Sequence, residues 1–562
     1  MVFQLGPVAS FLSALKRFSP RLFSAFQHGL CTLALGLAAL APQMAGANPT
    51  PTSGPVAGDT LVSDVVPGMR FTAVAGPYPN TQVAYGLDAD GHIWAWGANV
   101  YGLLGNGTVD PEYAPTATTR PVQIPTPAGI TFTAIAIYSA SAYGLDANGH
   151  IWAWGVNAVG QLGNGTSGPT NDSSVPVQVT APAGITFTAI AAGSESAYGL
   201  DTAGHIWAWG RNQYGQLGNP TIFASAVPVQ VDAPGITFTA IAAAASTAYG
   251  LDTEGHIWAW GNNVSGQLGN DTTIQSSVPV QVDAPGITFT AISAGGVEGS
   301  YGYGLDTNGT IWAWGANNYG QLGNGTTTNS LVPEPVTAPP GIIFTAVASG
   351  RASGKALDTD GNLWTWGDNW AGQLGNGSMG STLITTPTLA NTPSGITFTA
   401  IANSGSSSYA LDTDGNIWSW GFNPQGQLGL GNTTMFILSP EPVVTSVTVT
   451  AVDFGASAGT RTAGTHLTQS GETWTVDTPP GCGTVDVTVY YTDYTGTAHS
   501  TVFKDGFTYD GACSPGTGRI AGGGPTPVPA LDPAALALLG LAVPGLAGVG
   551  YKRKRKSSSN VQ

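Results

Sequence analysis

Charge is scarce in this chain of 562 residues: Asp, Glu, Lys and Arg together make up 9% of it. Basic residues are the scarcest in the middle. Between Asn48 and Tyr551 there are eight Lys and Arg against 32 Asp and Glu. A body this acidic repels phosphate backbones and lacks the basic stripe that nucleic-acid binding requires, which excludes DNA and RNA as partners. Cysteine is nearly absent too, with three residues, none at the spacing of a zinc site. Cys31 falls in the N-terminal segment, leaving Cys482 and Cys513 as a possible disulfide in an oxidising compartment.

Long apolar runs are confined to the two ends. Lys16, Arg17 and Arg21 precede an uncharged stretch, Leu30 to Ala41, followed by Ala45-Gly46-Ala47. A basic start, an apolar centre and small residues at the end predict an export signal over 1–47. At the other end, Ala534 to Tyr551 is uncharged, and Lys552-Arg553-Lys554-Arg555-Lys556 follows. About 18 to 20 apolar residues just span roughly 30 Å of hydrocarbon, and the basic cluster stays on the cytoplasmic side. The expected topology holds the body outside the cell on a single C-terminal transmembrane helix.

What the chain does have is a repeat. Leu-Asp-x-x-Gly-x-(Ile/Leu)-Trp-x-Trp-Gly occurs seven times, beginning at Leu87, Leu145, Leu200, Leu251, Leu305, Leu357 and Leu411. Fourteen of the 16 tryptophans belong to it: Trp94 and Trp96, Trp152 and Trp154, Trp207 and Trp209, Trp258 and Trp260, Trp312 and Trp314, Trp364 and Trp366, Trp418 and Trp420. A unit of this length cannot bury its own apolar face and must stack on its copies. In the third unit, alternation predicts strands at Gly184–Ala191, Ser196–Leu200, His205–Trp209 and Val227–Val231, with a turn at Asp201-Thr202-Ala203-Gly204. Both faces of such a sheet are apolar and both must be covered, which radial packing achieves for every unit at once. Seven units closed on themselves also hide the strand edges. The expected fold is an all-β seven-bladed propeller over 67–440, preceded by a linker, 48–66, with the indoles filling the widening gaps between blades.

Each tryptophan pair leads into Trp-Gly-x-Asn-x-x-Gly-(Gln/Leu)-Leu-Gly. With this extension the repeat resembles that of the regulator of chromosome condensation, a family whose members are seven-bladed propellers. The chain departs where that family has Cys-Gly-x-x-His-Thr, showing Ala192-Gly193-Ser194-Glu195-Ser196-Ala197 and equivalents. No wedge interrupts a repeat, so the exchange-factor activity of the family's namesake is not carried over.

Beyond Pro440 the repeat stops. Val443 to Tyr509 is rich in Thr and Val, and the stretch from Thr478 through Thr484-Val485-Asp486-Val487-Thr488-Val489, with Phe507-Thr508-Tyr509, resembles immunoglobulin-like domains of the IPT/TIG type. This implies a small β-sandwich over 441–510. A Gly/Pro linker, 511–527, follows. Val528-Pro529-Ala530-Leu531, the apolar run and the basic cluster, 528–556 in all, resemble the IPTL and PEP sorting signals of Gram-negative bacteria. The resemblance implies a membrane protease of the exosortase kind as a partner, and a location in the cell envelope or on the cell surface, with release after processing.

No catalytic set emerges from the periodic background, and no cofactor or metal is expected. His92, His150, His205 and His256 share one repeat position and read as turn residues, because equivalent atoms in separate blades lie too far apart for one zinc ion. Asp-x-Asp-Gly at Asp88, Asp358 and Asp412 suggests calcium, but other copies lack the second acid, so turn chemistry is the better reading. Function is expected where copies differ. The variable positions of the loop after the tryptophans hold Tyr101, Arg211, Tyr214, Tyr319, Asp368, Trp370 and Phe422. Equivalent loops share one rim of a ring, and Tyr, Trp and Arg are the residues that anchor interfaces. Arg351 and Lys355, close together in the sixth repeat, read as a solvated pair. The expected function is a non-catalytic, surface-displayed binding scaffold for a protein or glycan. Two alternatives are a secreted inhibitor of an extracellular hydrolase and a propeller lyase or hydrolase.

Overall fold

The computed structural model describes residues 70–445 apart from 77–81, 112–116, 297–299 and 403–404, together with strands between 53 and 65 and between 448 and 510. Seven four-stranded antiparallel sheets follow one another along the chain, each made from consecutive strands. The third is Phe187–Gly193, Ser196–Asp201, Ile206–Arg211 and Ala224–Gln230. Each sheet packs on the next, and the last, ending with Phe436–Pro442, packs on the first, beginning with Phe71–Ala75. The ring closes: Phe71 N–H donates to the Gly415 carbonyl at 2.8 Å, as Phe132 does to Gly91 and Phe187 to Gly149 one seam at a time.

The two tryptophans of a repeat have different tasks. The second one, Trp96, Trp154, Trp209, Trp260, Trp314, Trp366 or Trp420, is fully buried at a seam. Its indole N–H crosses to the preceding blade, as Trp209 does to the Gln161 carbonyl at 2.9 Å and Trp260 to Gln216 at 2.9 Å. A tyrosine of the preceding blade meets the same carbonyl and the same indole: Tyr198 donates to Gln216 at 2.8 Å and its ring stands edge-on to Trp260. Burying roughly 150–250 Å² per indole contributes about 4 to 6 kcal/mol at each seam before ordering costs. The first tryptophan stays inside its own blade. Trp207 donates to Asp201 Oδ2 at 2.9 Å, and only in the last two blades is this residue, Trp364 or Trp418, buried.

Glycine is required where blades crowd. A Cβ on Gly199 would lie 2.6 Å from the Phe187 ring that fills the space above it. At Gly210 (φ +94°) a Cβ would lie 2.2 Å from the Glu195 carbonyl, so the step from strand to loop needs a residue without a side chain.

A channel of about 310 Å³ runs between the innermost strands, walled by Val74, Ile135, Ile190, Ile241, Ile292, Val347 and Ile401 with small residues beside them. Tyr138, at the end of its inner strand, reaches from the second blade to the fifth, where its hydroxyl donates to the Gly296 carbonyl at 2.8 Å.

The segment 48–66, expected to be a linker, carries two strands. Ser53–Pro55 pairs in parallel with Thr508–Asp510, and Leu61–Val65 pairs antiparallel with Thr473–Asp477. These short segments lack the repeat and join sheets made by distant residues, so local pattern does not reveal them. With them the strands after Thr448 form one five-stranded and one three-stranded sheet. Among the described residues no helix is long and apolar enough to cross a membrane. The export signal, Cys482, Cys513, the Val528–Leu531 motif and the apolar run 534–551 lie outside the described residues.

Candidate partner-binding face

Strand direction sorts the turns onto two faces of the ring. The Asp201 turn closes the second hairpin at one end, while the inner hairpin, Gly193 paired with Ser196, lies at the other together with the loop after Gly210. The aspartate turn is saturated: Asp201 Oδ1 accepts the N–H groups of Ala203 and His205 at 2.8 and 2.9 Å, and Oδ2 accepts the Trp207 indole. His205 Nδ1 stands 3.3 Å from Oδ2, and His92, His150 and His256 repeat the arrangement. Asp88, Asp358 and Asp412 use both carboxylate oxygens the same way. These carboxylates organise turns, and no group of three His, Cys, Asp or Glu able to hold a metal occurs among the described residues.

On the opposite face each loop is built around its asparagine. Asn212 Oδ1 accepts the Leu217 N–H at 2.8 Å while Nδ2 donates to the Ile222 and Asn219 carbonyls. The loop's conformation is thereby set by a buried side chain, and the residues flanking the asparagine are free to differ.

The structure distributes the seven expected residues unevenly. Tyr319 is 50% exposed, Tyr101 and Trp370 are each 38% exposed, and Arg211, Tyr214, Asp368 and Phe422 are half-buried. Tyr101, Tyr214 and Tyr319 sit on the first, third and fifth blades, so an intervening blade separates each from the next. Arg211 is engaged internally, its Nε 2.6 Å from Glu195 Oε2. Being about a third exposed on both sides, this ion pair adds at most about 1 kcal/mol.

Trp370 and Phe422 do come together, with ring centroids 5.4 Å apart, and Phe436 completes the group at 6.1 Å from Trp370 and 5.9 Å from Phe422. Sequence reasoning missed Phe436, which stands outside the repeated motif; its register partner across the last hairpin is Phe422. The cluster straddles the seam between the sixth and seventh blades. Beside it, Asp368 accepts from Gln373 Nε2 at 3.1 Å and from the Trp370 N–H at 3.3 Å. Burial raises the Asp368 carboxyl above the usual range, against these bonds and the charge of Arg351.

Lys355 corrects the reading of a solvated pair. Arg351 is exposed, but Lys355 is fully buried. It occupies the strand position that holds Tyr85, Tyr143, Tyr198, Tyr249, Tyr303 and Tyr409 in the other blades, and desolvation pulls its ammonium down to about 7. Aligning Ser353-Gly354-Lys355-Ala356 with Ser196-Ala197-Tyr198-Gly199 would have placed it inside. The carbonyl that a tyrosine would have met, Gln373, accepts instead from Ser408 Oγ of the seventh blade at 2.8 Å.

A family model described as the RCC1-like domain matches residues 117–461, and one described as the regulator of chromosome condensation (RCC1) repeat matches 90–137. The chain belongs to the RCC1-like domain family. It is 31% identical over 285 residues to the ultraviolet-B receptor UVR8 of Arabidopsis thaliana, covering 50% of this chain and 63% of that one. Against the E3 ubiquitin-protein ligase HERC2 of Homo sapiens it is 27% identical over 303 residues, 53% of this chain and 6% of the relative. The matched region thus spans less than two thirds of either relative. Human WBSCR16 has the same fold, with a TM-score of 0.55 at 20% identity over 64% of this chain and 96% of that one. So does Prp20p of Saccharomyces cerevisiae, with a TM-score of 0.55 at 21% identity over 73% and 93%. In this RCC1-like propeller the loops vary on a frame that does not.

Proposed function

We propose that the RCC1-like propeller is a non-catalytic binding scaffold, exported and displayed at the surface of a Gram-negative cell, which meets a protein or glycan through its loop face. The observation that carries this is the Trp370, Phe422 and Phe436 cluster: three large aromatics gathered across a seam on the face whose sequence varies, with Trp370 open to solvent. Desolvating an indole held in place by its neighbours gives a partner area at little cost in side-chain entropy. The relatives agree with a scaffold role, since a light receptor and a ubiquitin ligase share the domain, and the Prp20p structure was described with its binding to Gsp1p and histones. Display rests on the export and sorting signals and on reading 441–510 as an immunoglobulin-like spacer.

The test is capture from intact cell envelopes with the exported part, Asn48 to Asp510. Alanine at Tyr214, Tyr319 and Trp370 should weaken capture at least tenfold while leaving the propeller folded. Undiminished capture by the triple variant would remove this face from the account. Inhibition of an extracellular hydrolase by the purified protein would favour the inhibitor reading. A lyase or hydrolase would need acid, base or metal ligands at the axis, where the channel presents aliphatic side chains and, among titratable groups, Tyr138.

A further inference from the structure

Six of the seven seams have a peptide running across them, such as residues 124–131 between the first and second blades. The seventh has none. Each blade is made from one contiguous repeat, so no strand of one end of the array is woven into the sheet of the other. The bonds across this seam are the same as elsewhere: Phe71 to Gly415, Gly431 N–H to the Thr119 carbonyl at 2.9 Å, and Trp96 to Gln427 at 2.7 Å. A seam with equal contacts but no tether has a lower effective concentration of its two halves, and is the place where a ring opens.

We propose that the strands flanking the propeller are a clasp for this seam. Leu61–Val65 ends six residues before Phe71, where the first blade begins, and Thr448–Gly455 begins six residues after Pro442, where the seventh ends. Leu61 pairs with Asp477, Ser63 with Thr475 and Val65 with Thr473, while Ser53 pairs with Thr508 and Pro55 with Asp510. The segment entering the first blade is thereby bonded to the segment leaving the seventh. The propeller is topologically an insert between strands of one β unit, and that unit supplies across the open seam what a linker supplies across the others. The segment 53–65 is thus part of the closing device, and 448–510 is incomplete without it.

Hydrogen exchange separates this from a general contribution to stability, because each seam reports through its own amides. In the full chain lacking 53–65, exchange at Phe71 and Gly431 should accelerate at least tenfold, while Phe238 and Gly165, which bond across other seams, keep their rates. Val62→Pro combined with Ser63→Pro, which removes whichever of the two N–H groups pairs with the neighbouring strand, should do the same. Unchanged exchange at the closing seam, or equal acceleration at all seams, overturns the proposal. If the deletion variant does not fold, Ser63→Cys with Thr475→Cys decides in the full chain with its three native cysteines replaced by Ser. Oxidation should then give a bond within one chain and slow exchange at Phe71 and Gly431 alone. No bond, a bond only between copies, or a bond without that slowing overturns the proposal equally.

Discussion

Trp96 of the first blade donates its indole N–H to the carbonyl of Gln427 in the last, at 2.7 Å and 331 positions along the chain. The same bond recurs at each of the other six seams, from Trp154 to Leu103, Trp209 to Gln161, Trp260 to Gln216, Trp314 to Gln267, Trp366 to Gln321 and Trp420 to Gln373. Its most distant member is thus made by the same chemistry as its nearest.

Trp96→Phe keeps an aromatic ring at the seam but removes the donor and part of the indole's volume. Losing a buried bond of this kind costs about 1 to 3 kcal/mol. With the volume lost from a fully buried site added, chemical denaturation should show a destabilisation of at least that size for Trp96→Phe and for Trp209→Phe. Because Trp96 spans the seam without a linker, its substitution should also speed exchange at Phe71, which the internal substitution should not.

Lys355 sets a pH dependence through its burial. Its folded value near 7 lies below the ordinary 10.5, so between these two the unfolded chain binds more protons and stability rises with pH. The cost of burying the ammonium is complete below about pH 7 and gone above about pH 10.5. Lys355→Met should therefore raise the melting temperature at pH 7 and change it little at pH 10.5, and should flatten the slope between. A wild-type stability that does not rise over this interval would contradict the assignment.

The aspartate turns act at the acid end. For Asp146, Asp201 and Asp252, burial alone would raise the carboxyl, but the bonds from a tryptophan indole and two backbone N–H groups, with the neighbouring histidine, outweigh it and hold the value below 3.8. Their contribution is present above pH 3.8 and is lost as pH falls through the lower folded value. Asp201→Asn turns an acceptor toward Trp207 into a donor. It should cost about 1 to 3 kcal/mol at pH 7 and progressively less in acid, read by urea denaturation at a series of pH values.

Tyr138→Phe removes the bond across the channel to Gly296 while keeping the ring. A neutral buried bond contributes about 1 kcal/mol, so the loss in stability should be of that size. Tyr138→Ala should cost more, because the buried ring belongs to the same apolar cluster as Ala192, Ala244 and Ala294 and its removal leaves a cavity.

The blades were legible because the motif is dense and strictly ordered. The strand pattern of Ser196–Leu200 and His205–Trp209, with Asp and Gly at the turn between, leaves one way to pair the two. The candidate face was legible only by position. Trp370 and Phe422 could be placed on one rim, but whether they met depended on the distance between two loops, and Phe436 entered from outside the motif. Lys355 was misread because charge was weighed before register.

Periodicity by itself determined that seven equal sheets must stack, and the shared turn chemistry determined that their loops emerge on common faces. Local sequence can do this because each blade is made from consecutive residues. Tertiary structure alone decided which tryptophan crosses a seam, where a lysine could replace a tyrosine, and that Ser53–Pro55 and Leu61–Val65 pair with strands more than four hundred positions away. Those outcomes depend on which groups the closed ring and its flanks bring side by side, and no window of neighbouring residues carries that information.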